Sequence, residues 1–246
     1  MKTLCITVTL TELKTFKKTS NRLFVYDHEG EKLLVKCYHA QPAEKRRDKE
    51  LFIMRYWHDA GYNVPEIHNI EIPSIDAPYI VMNFIDGISL QHFLSTEDHG
   101  LETKLETVSR FFENINDRHD RAIRDDDKNL IHFDPSTGNV ICADNDFLFI
   151  DFEDARKKRS VLNAAAIETA VLCKWIVRDM GIKYANNVLS RLVSVYDNRK
   201  LLNLIVKQTA GVPFQFFHRR RDRNKKLANP LEVTKYDIAD TLAKLL

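Results

Sequence analysis

The chain is poor in the residues that build special scaffolds. Its four cysteines, Cys5, Cys37, Cys142 and Cys173, lie far apart with no C-x-x-C pair, which argues against both a zinc site and a disulfide framework. A reducing, cytoplasmic setting is the default expectation. Glycine and proline number seven each, too few for long flexible linkers. No apolar run approaches the roughly 18 to 20 residues that span a bilayer. The start, MKTLCITVTLTELK, makes a poor signal peptide and a better first strand. Charge of one sign is not in excess either: 37 Lys and Arg nearly cancel 35 Asp and Glu, so the net charge gives no argument for nucleic acid. No internal repeat is visible. What is present is ordinary globular material. A chain of 246 residues, 44% hydrophobic and 29% charged, fits one large domain or two lobes sharing a cleft.

The first forty residues read as strands, Leu4–Leu10, Arg22–Asp27 and Lys32–Tyr38, the last two joined by the turn His28-Glu29-Gly30-Glu31. Ala43–Ala60 follows with Leu51, Ile53, Met54 and Trp57 at amphipathic-helix spacing, ended by Gly61. Two further strands are predicted at Glu66–Ile70 and Tyr79–Phe84. The pattern turns helical from Leu101 to about Ile115; a polar, acidic stretch, Asn116–Asn129, then precedes short strands around Val140–Cys142 and Phe147–Ile150. Everything after Ser160 reads as helix: Val161–Met180, Tyr184–Tyr196, Leu201–Thr209 and Val233–Leu245. A boundary near residues 85–88 separates a strand-rich lobe, 1–86, from a helical one, 87–246. The expected class is α+β with segregated elements.

The chemistry concentrates in His132-Phe133-Asp134-Pro135-Ser136-Thr137-Gly138-Asn139 and in Phe149-Ile150-Asp151-Phe152-Glu153. A hairpin turned at Asp144-Asn145 separates the two and returns Asp151 beside Asp134 and Asn139. Two carboxylates and an amide oxygen are the hard donors that Mg²⁺ takes, with water and phosphate oxygens completing the shell. Asn139 and Asp151 are the natural ligands, and Asp134 stays free to accept a hydrogen bond from an attacking hydroxyl. A lone D-x-x-x-x-N would mean nothing. The His two residues before, the apolar hairpin after, and an apolar-Asp-Phe seventeen residues on give it weight. His132 itself reads as a structural hydrogen-bonder supporting the loop, not a proton carrier.

This arrangement resembles the catalytic and metal loops of the protein-kinase-like superfamily, H-x-D-x-x-x-x-N and D-F-G. The resemblance spans roughly residues 4 to 180. It implies a two-lobed fold, with a small antiparallel-sheet lobe carrying one helix and a mainly helical second lobe. It also implies ATP and Mg²⁺. In that reading Lys36, inside Leu33-Leu34-Val35, holds the α- and β-phosphates and pairs with a helix carboxylate. Glu50 is the chosen partner, since Ile53, Met54 and Trp57 turn its helix face inward; Glu44 is the fallback. Without the downstream loops Lys36 would read as an edge-strand lysine reaching water. Tyr79–Gly87 resembles the last small-lobe strand and hinge, where backbone near Met82, Asn83, Phe84 and Ile85 would bind the adenine edge.

Departures from the eukaryotic protein kinases point to an atypical branch. No G-x-G-x-x-G precedes Lys36; Lys17–Arg22 stands there, and Ser20-Asn21 looks like the phosphate loop of aminoglycoside and choline kinases. The metal loop reads D-F-E, again as in choline-kinase-like enzymes. The helix from about Ser160 leaves no room for an activation segment, and no A-P-E follows. Aminoglycoside and choline phosphotransferases, lipopolysaccharide core sugar kinases, and the Bud32 and RIO protein kinases share these traits. The leading expectation is an ATP- and Mg²⁺-dependent kinase acting on a hydroxyl of a small molecule or lipopolysaccharide-type sugar. An atypical protein Ser/Thr kinase and a catalytically inactive scaffold are the alternatives.

One charge feature stands apart: Arg219, Arg220, Arg221, Arg223, Lys225 and Lys226 with only Asp222 against them, preceded by Phe214, Phe216 and Phe217. A solvated helix end, an anionic acceptor's dock and an anionic membrane contact all fit it, the last placing the protein at the inner face of a membrane. Asp117–Lys128 reads as an exposed loop or helix end, and the consecutive Asp125-Asp126-Asp127 as no metal site, since three adjacent carboxylates do not face one ion.

Overall fold

The computed structural model describes residues 10–13, 21–143, 146–153, 159–210, 215–229 and 232–246, with only the backbone of 208–210. The expected strand before Leu10, the Lys17–Ser20 part of the phosphate loop, the Asp144-Asn145 turn and Phe214 therefore lie outside the described residues. The chain forms two units: Met1–Asp86 with Leu148–Asp154, and Gly87–Phe147 with Ala155–Leu246.

The first unit is built on a five-stranded antiparallel sheet. Its strands are β1 (Leu10–Glu12), β2 (Asn21–His28), β3 (Glu31–Tyr38), β4 (Ile67–His68) and β5 (Tyr79–Asn83), in the order β1-β2-β3-β5-β4. The β2–β3 hairpin turns on Glu29 (φ 55°) and Gly30 (φ 88°), the pair of positive φ values that a two-residue turn needs to match strand twist. Asp27 Oδ1 accepts from Gly30 N–H at 3.2 Å and closes it.

Alternation along β3 decides what lies on each face. Leu33, Val35 and Cys37 join Tyr26, Ile72 and Val81 in one apolar cluster. Lys36 and Tyr38 point the other way, toward helix α1 (Ala43–Asp59), which buries Glu50, Ile53, Met54 and Trp57. Those four sit at i, i+3, i+4 and i+7, one stripe of an α-helix. The unit's Leu148–Asp154 segment packs there too. Trp57, fully buried, meets the Phe149 and Phe152 rings edge-on at 5.3 and 4.8 Å.

The second unit opens with a short strand β6 (Ile88–Ser89) and helix α2 (Leu90–Ser95), capped by Ser89 Oγ accepting from His92 N–H at 3.1 Å. Strands β7 (Val140–Ala143) and β8 (Asp146–Phe149) complete a small sheet in the order β6-β7-β8. The helices are α3 (Leu101–Arg124), α4 (Val161–Met180), α5 (Ala185–Val195), α6 (Arg199–Ala210), α7 (Gln215–Ala228) and α8 (Lys235–Leu245). Helix α4 buries a run of Ala164, Ala165 and Ala166, then Leu172, Cys173, Ile176 and Val177; small residues there let neighbouring helices approach closely.

Two expectations need correction. Helix α3 does not end near Ile115 but continues nine residues to Arg124. Its inward stripe runs Leu105, Val108, Phe111, Phe112, Ile115, and then Arg118, His119 and Ala122, all buried. The Asp117–Lys128 stretch is thus in large part a core helix. Polar residues on the buried face disguise the stripe, because their partner lies on a different helix. The expected strand at Glu66–Ile70 shrinks to Ile67–His68.

Candidate active site

Within the first unit, three carboxylates meet around one ammonium. Lys36 Nζ lies 3.0 and 2.8 Å from the two Glu50 carboxylate oxygens and 2.9 Å from Asp151 Oδ1. Glu153 Oε1 is 3.8 Å away. Each member owes its place to a local cause. Lys36 is turned by strand alternation, and Glu50 by the apolar stripe of α1. Asp151 is held by the two phenylalanines that flank Ile150-Asp151 and lodge against Trp57. Asp151 also has φ 68°, a left-handed conformation that Asp and Asn tolerate better than other side-chain-bearing residues and that recurs at functional sites.

Around this centre the neighbours are committed. Tyr38 donates its hydroxyl to Glu50 Oε2 at 2.6 Å. Glu153 receives the Asn21 amide at 2.8 Å and pairs with Arg46 at 2.6 Å, while Lys49 donates to its backbone carbonyl at 3.1 Å. Burial alone would pull the Lys36 ammonium down, but the carboxylates of Glu50, Asp151 and Glu153 outweigh it and hold it above its ordinary value. Glu153 is pushed up, first by burial and then by repulsion from Asp151, against the pull of Lys36. Burial, followed by the Glu50 charge, also drives the Tyr38 phenol upward, so Tyr38 stays a neutral donor.

Asn83 N–H donates to Glu66 O at 3.0 Å and Phe84 N–H to Lys32 O at 3.3 Å, and the Asn83 side-chain oxygen accepts from His68 Nε2. Among the described residues the Ile85 N–H has no backbone partner. Of the four expected hinge residues, Met82 is buried and Asn83, Phe84 and Ile85 are half-buried.

The second unit holds the Asp134 loop, clamped at both ends. Upstream, Glu168 of α4 accepts from His132 N–H at 3.1 Å and from Arg118 at 2.5 Å. Arg118 in turn donates to Leu130 O. His119 Nε2 lies 3.0 Å from Glu168 and its Nδ1 lies 3.4 Å from the Tyr196 hydroxyl. Burial lowers the His119 pKa despite Glu168, and the ring bridges the Glu168 carboxylate and the Tyr196 hydroxyl. Burial pushes Glu168 up, but Arg118 and His119 overcome it and hold the carboxyl well below its ordinary range. Downstream, the buried Thr137 hydroxyl donates to Asp179. Between these clamps Asp134 is exposed. Asn139 Nδ2 donates to the Asp134 carbonyl at 2.9 Å and to its carboxylate at 3.3 Å, which ties the two ends of the loop together.

The sequence profile of the RIO domain matches residues 1–167, which takes in the whole sheet, α1, the Asp134 loop and the Asp151 segment. The chain belongs to the RIO domain family. RIO-family membership makes it a member of the atypical protein-kinase-like superfamily, and the α+β architecture of a small antiparallel-sheet lobe with one helix and a helical second lobe agrees. A solved structure, WaaP in complex with acyl carrier protein, is similar at a TM-score of 0.49 and 13% identity, covering 82% of this chain and 88% of that one. No curated protein matches.

Members of such a kinase-like family use a nucleotide and Mg²⁺, and the donors present can be tested for fit. Ligand oxygens of Glu50, Asp151 and Glu153 lie within 4.8 Å of one another. Glu50 is a poor ligand, since its side chain is 2% exposed and both oxygens already face Lys36. Asp151 is 34% exposed and offers a hard oxygen at the rim of the cluster. The residues fit, and in this unit Asp151 is the one that would hold the ion.

Sequence reasoning singled out Lys36, Glu50 and Asp151, and the structure brings these three together. Ser20 lies outside the described residues. Asn21 is engaged by Glu153, and that glutamate, along with Arg118, His119 and Glu168, was not foreseen. The third residue of D-F-E was a visible signal for Glu153. The Arg118–Glu168 pair, fifty residues apart, left none.

Proposed function

We propose that the chain is an ATP- and Mg²⁺-dependent phosphotransferase with an alcohol hydroxyl as acceptor. The observation that carries the reading is the Lys36 ammonium held between Glu50 and Asp151. A lysine fixed by one buried acid presents its charge at a set point, which suits the α- and β-phosphates of a nucleotide. Asp151 and Asn139 are the proposed Mg²⁺ ligands; the bound ion would neutralise charge on the phosphates as the phosphoryl group moves. Asp134, exposed at the crest of a loop clamped on both sides, orients the acceptor hydroxyl and takes its proton. Phosphoryl transfer asks for positioning and charge neutralisation more than for covalent help, and two clamps on one loop supply the first of these. The Ile85 N–H would meet the adenine edge, and Asn21, with Ser20 before it, would border the phosphates.

A hydroxyl of a small molecule or lipopolysaccharide-type sugar is the acceptor favoured by the D-F-E metal loop. The RIO-domain match favours a protein Ser/Thr hydroxyl as the second reading. An inactive scaffold is the weakest of the three, since the sequence retains all of Lys36, Asp134, Asn139 and Asp151.

The test is Mg·ATP consumption by the purified chain against sugars, glycolipids and basic proteins, compared with Asp151→Asn. Asparagine tolerates the left-handed backbone there, so the variant removes charge and spares the fold. Loss of several kcal/mol of transition-state stabilisation should lower turnover by at least about a hundredfold. Unchanged turnover in Asp151→Asn would end the assignment.

A further inference from the structure

Helix α7 carries a feature that the phosphotransferase reading does not use. Among its residues none is buried, and its six basic side chains fall into two groups. Arg219 makes a bidentate pair with Asp240 of α8 at 2.6 and 2.7 Å and stacks over the Tyr236 ring at 4.4 Å. Lys226 pairs with Asp237 at 2.5 Å. These two are struts that fix α7 to α8 and are spent on that. Asp222, the only acid on the helix, also turns inward, with its side chain 13% exposed.

The outward face keeps Arg220, Arg221, Arg223 and Lys225, all exposed. Interleaved with them are Phe216, Phe217 and Leu227, which are 72%, 66% and 79% exposed. Three large apolar side chains held out in water on a helix already anchored by its other face are costly to leave there. The helix is thus oriented by its struts so that cations and apolar groups emerge together.

We propose that this face docks on an anionic phospholipid bilayer, lying in the interfacial plane. A bilayer surface offers both partners at once: phosphates for the arginines and lysine, and acyl depth for Phe216, Phe217 and Leu227. A protein interface would gather its apolar groups in a centre with charges at the rim, whereas here they alternate along the face. Single-stranded nucleic acid would supply phosphates and stacking surfaces, yet Leu227 has no ring to stack. No helix among the described residues is long and apolar enough to cross a membrane. The division of cations also revises the sequence expectation, since Arg219 and Lys226 belong to the α7–α8 contact and not to the docking face.

Sedimentation of the full chain with vesicles tests the idea, using phosphatidylcholine alone and phosphatidylcholine mixed with phosphatidylserine. The mixed vesicles should bind and the neutral ones should bind far less, with the difference shrinking as salt rises. Each cation near an anionic surface is worth about fivefold in partitioning, so Arg220→Gln/Arg221→Gln/Arg223→Gln should weaken binding by about a hundredfold. Phe216→Ser/Phe217→Ser/Leu227→Ser should weaken it as well. All six side chains are exposed, so these changes leave the packing intact; in an otherwise native chain, Phe217→Trp gives an independent reading, a blue-shifted indole emission on mixed vesicles. Absence of vesicle binding would overturn the proposal. So would binding that survives both triple variants, or binding without the emission shift, which would point to a soluble polyanion or an acidic protein instead.

Discussion

At the scale of single residues, charges in this protein are stable where a second charge is already waiting. Lys36 is the case near the site: the acids around it hold its proton, and because its folded-state value is raised, the stability it contributes is whole below its ordinary value of 10.5 and is lost only as pH climbs through the raised one. Glu168 is the opposite case. Its value is depressed from an ordinary 4.5, so its contribution is present above that point and drains away as the pH falls below it. Removing its charge strands the fully buried Arg118, at a cost of about 3–5 kcal/mol. Glu168→Gln should therefore lower the unfolding free energy at neutral pH and flatten the acid limb of a pH-dependent urea titration. A variant that keeps the parent's acid limb would show that the pair does not hold the loop. These residues also mark what a sequence can and cannot disclose. Lys36 and Glu50 are legible because a strand and a helix each impose a face on them. Arg118 and His119 are illegible because they are polar residues on an apolar stripe, explained only by an acid fifty positions away.

At the scale of elements, what positions the site is a set of short segments with little room. The hairpin β7–β8 carries the chain from the Asp134 loop to Asp151, and β6 pairs with β7 through Ile88 and Ser89. Gly87, at the entrance to β6, has no space for a side chain: a Cβ there would come within 2.6 Å of Ile141 Cγ2 and 2.8 Å of the Cys142 carbonyl. A backbone oxygen cannot step aside as a side chain can. Gly87→Ala should cost about 1–3 kcal/mol, visible as a fall of a few degrees in Tm; an unchanged Tm would mean that the strand pairing there is soft. Period-two and period-3.6 patterns made β2, β3, α1, β5 and α4 readable in advance, since each has one apolar face or two. The short α2 was not readable and β4, expected over Glu66–Ile70, was read too long, because six and two residues are too few for a period to register its bounds.

At the scale of the whole chain, the RIO-domain match ends at residue 167, so α4 lies mostly past it and α5 to α8 wholly so. The matched part holds every residue that the proposal assigns to nucleotide, metal and proton transfer. The unmatched part packs α4 against α6, α6 against α8 and α5 against α8, and displays the basic face of α7. The second stretch lies outside the family match, and architecture there does not dictate function. Apolar spacing made the helical character of that second stretch legible, but no periodic pattern separates Arg219 and Lys226, which pair with α8, from the basic residues beside them.

The central claim is that Lys36 and Asp151 form the charged floor of a Mg·nucleotide site. Isothermal titration calorimetry of ATP into the purified chain, with and without Mg²⁺, tests it most directly when Asp151→Asn is titrated alongside. Parent protein should bind Mg·ATP more tightly than ATP alone, and Asp151→Asn should lose that Mg²⁺ advantage while still unfolding cooperatively. Equal affinity in parent and variant, with the same response to Mg²⁺, would contradict it.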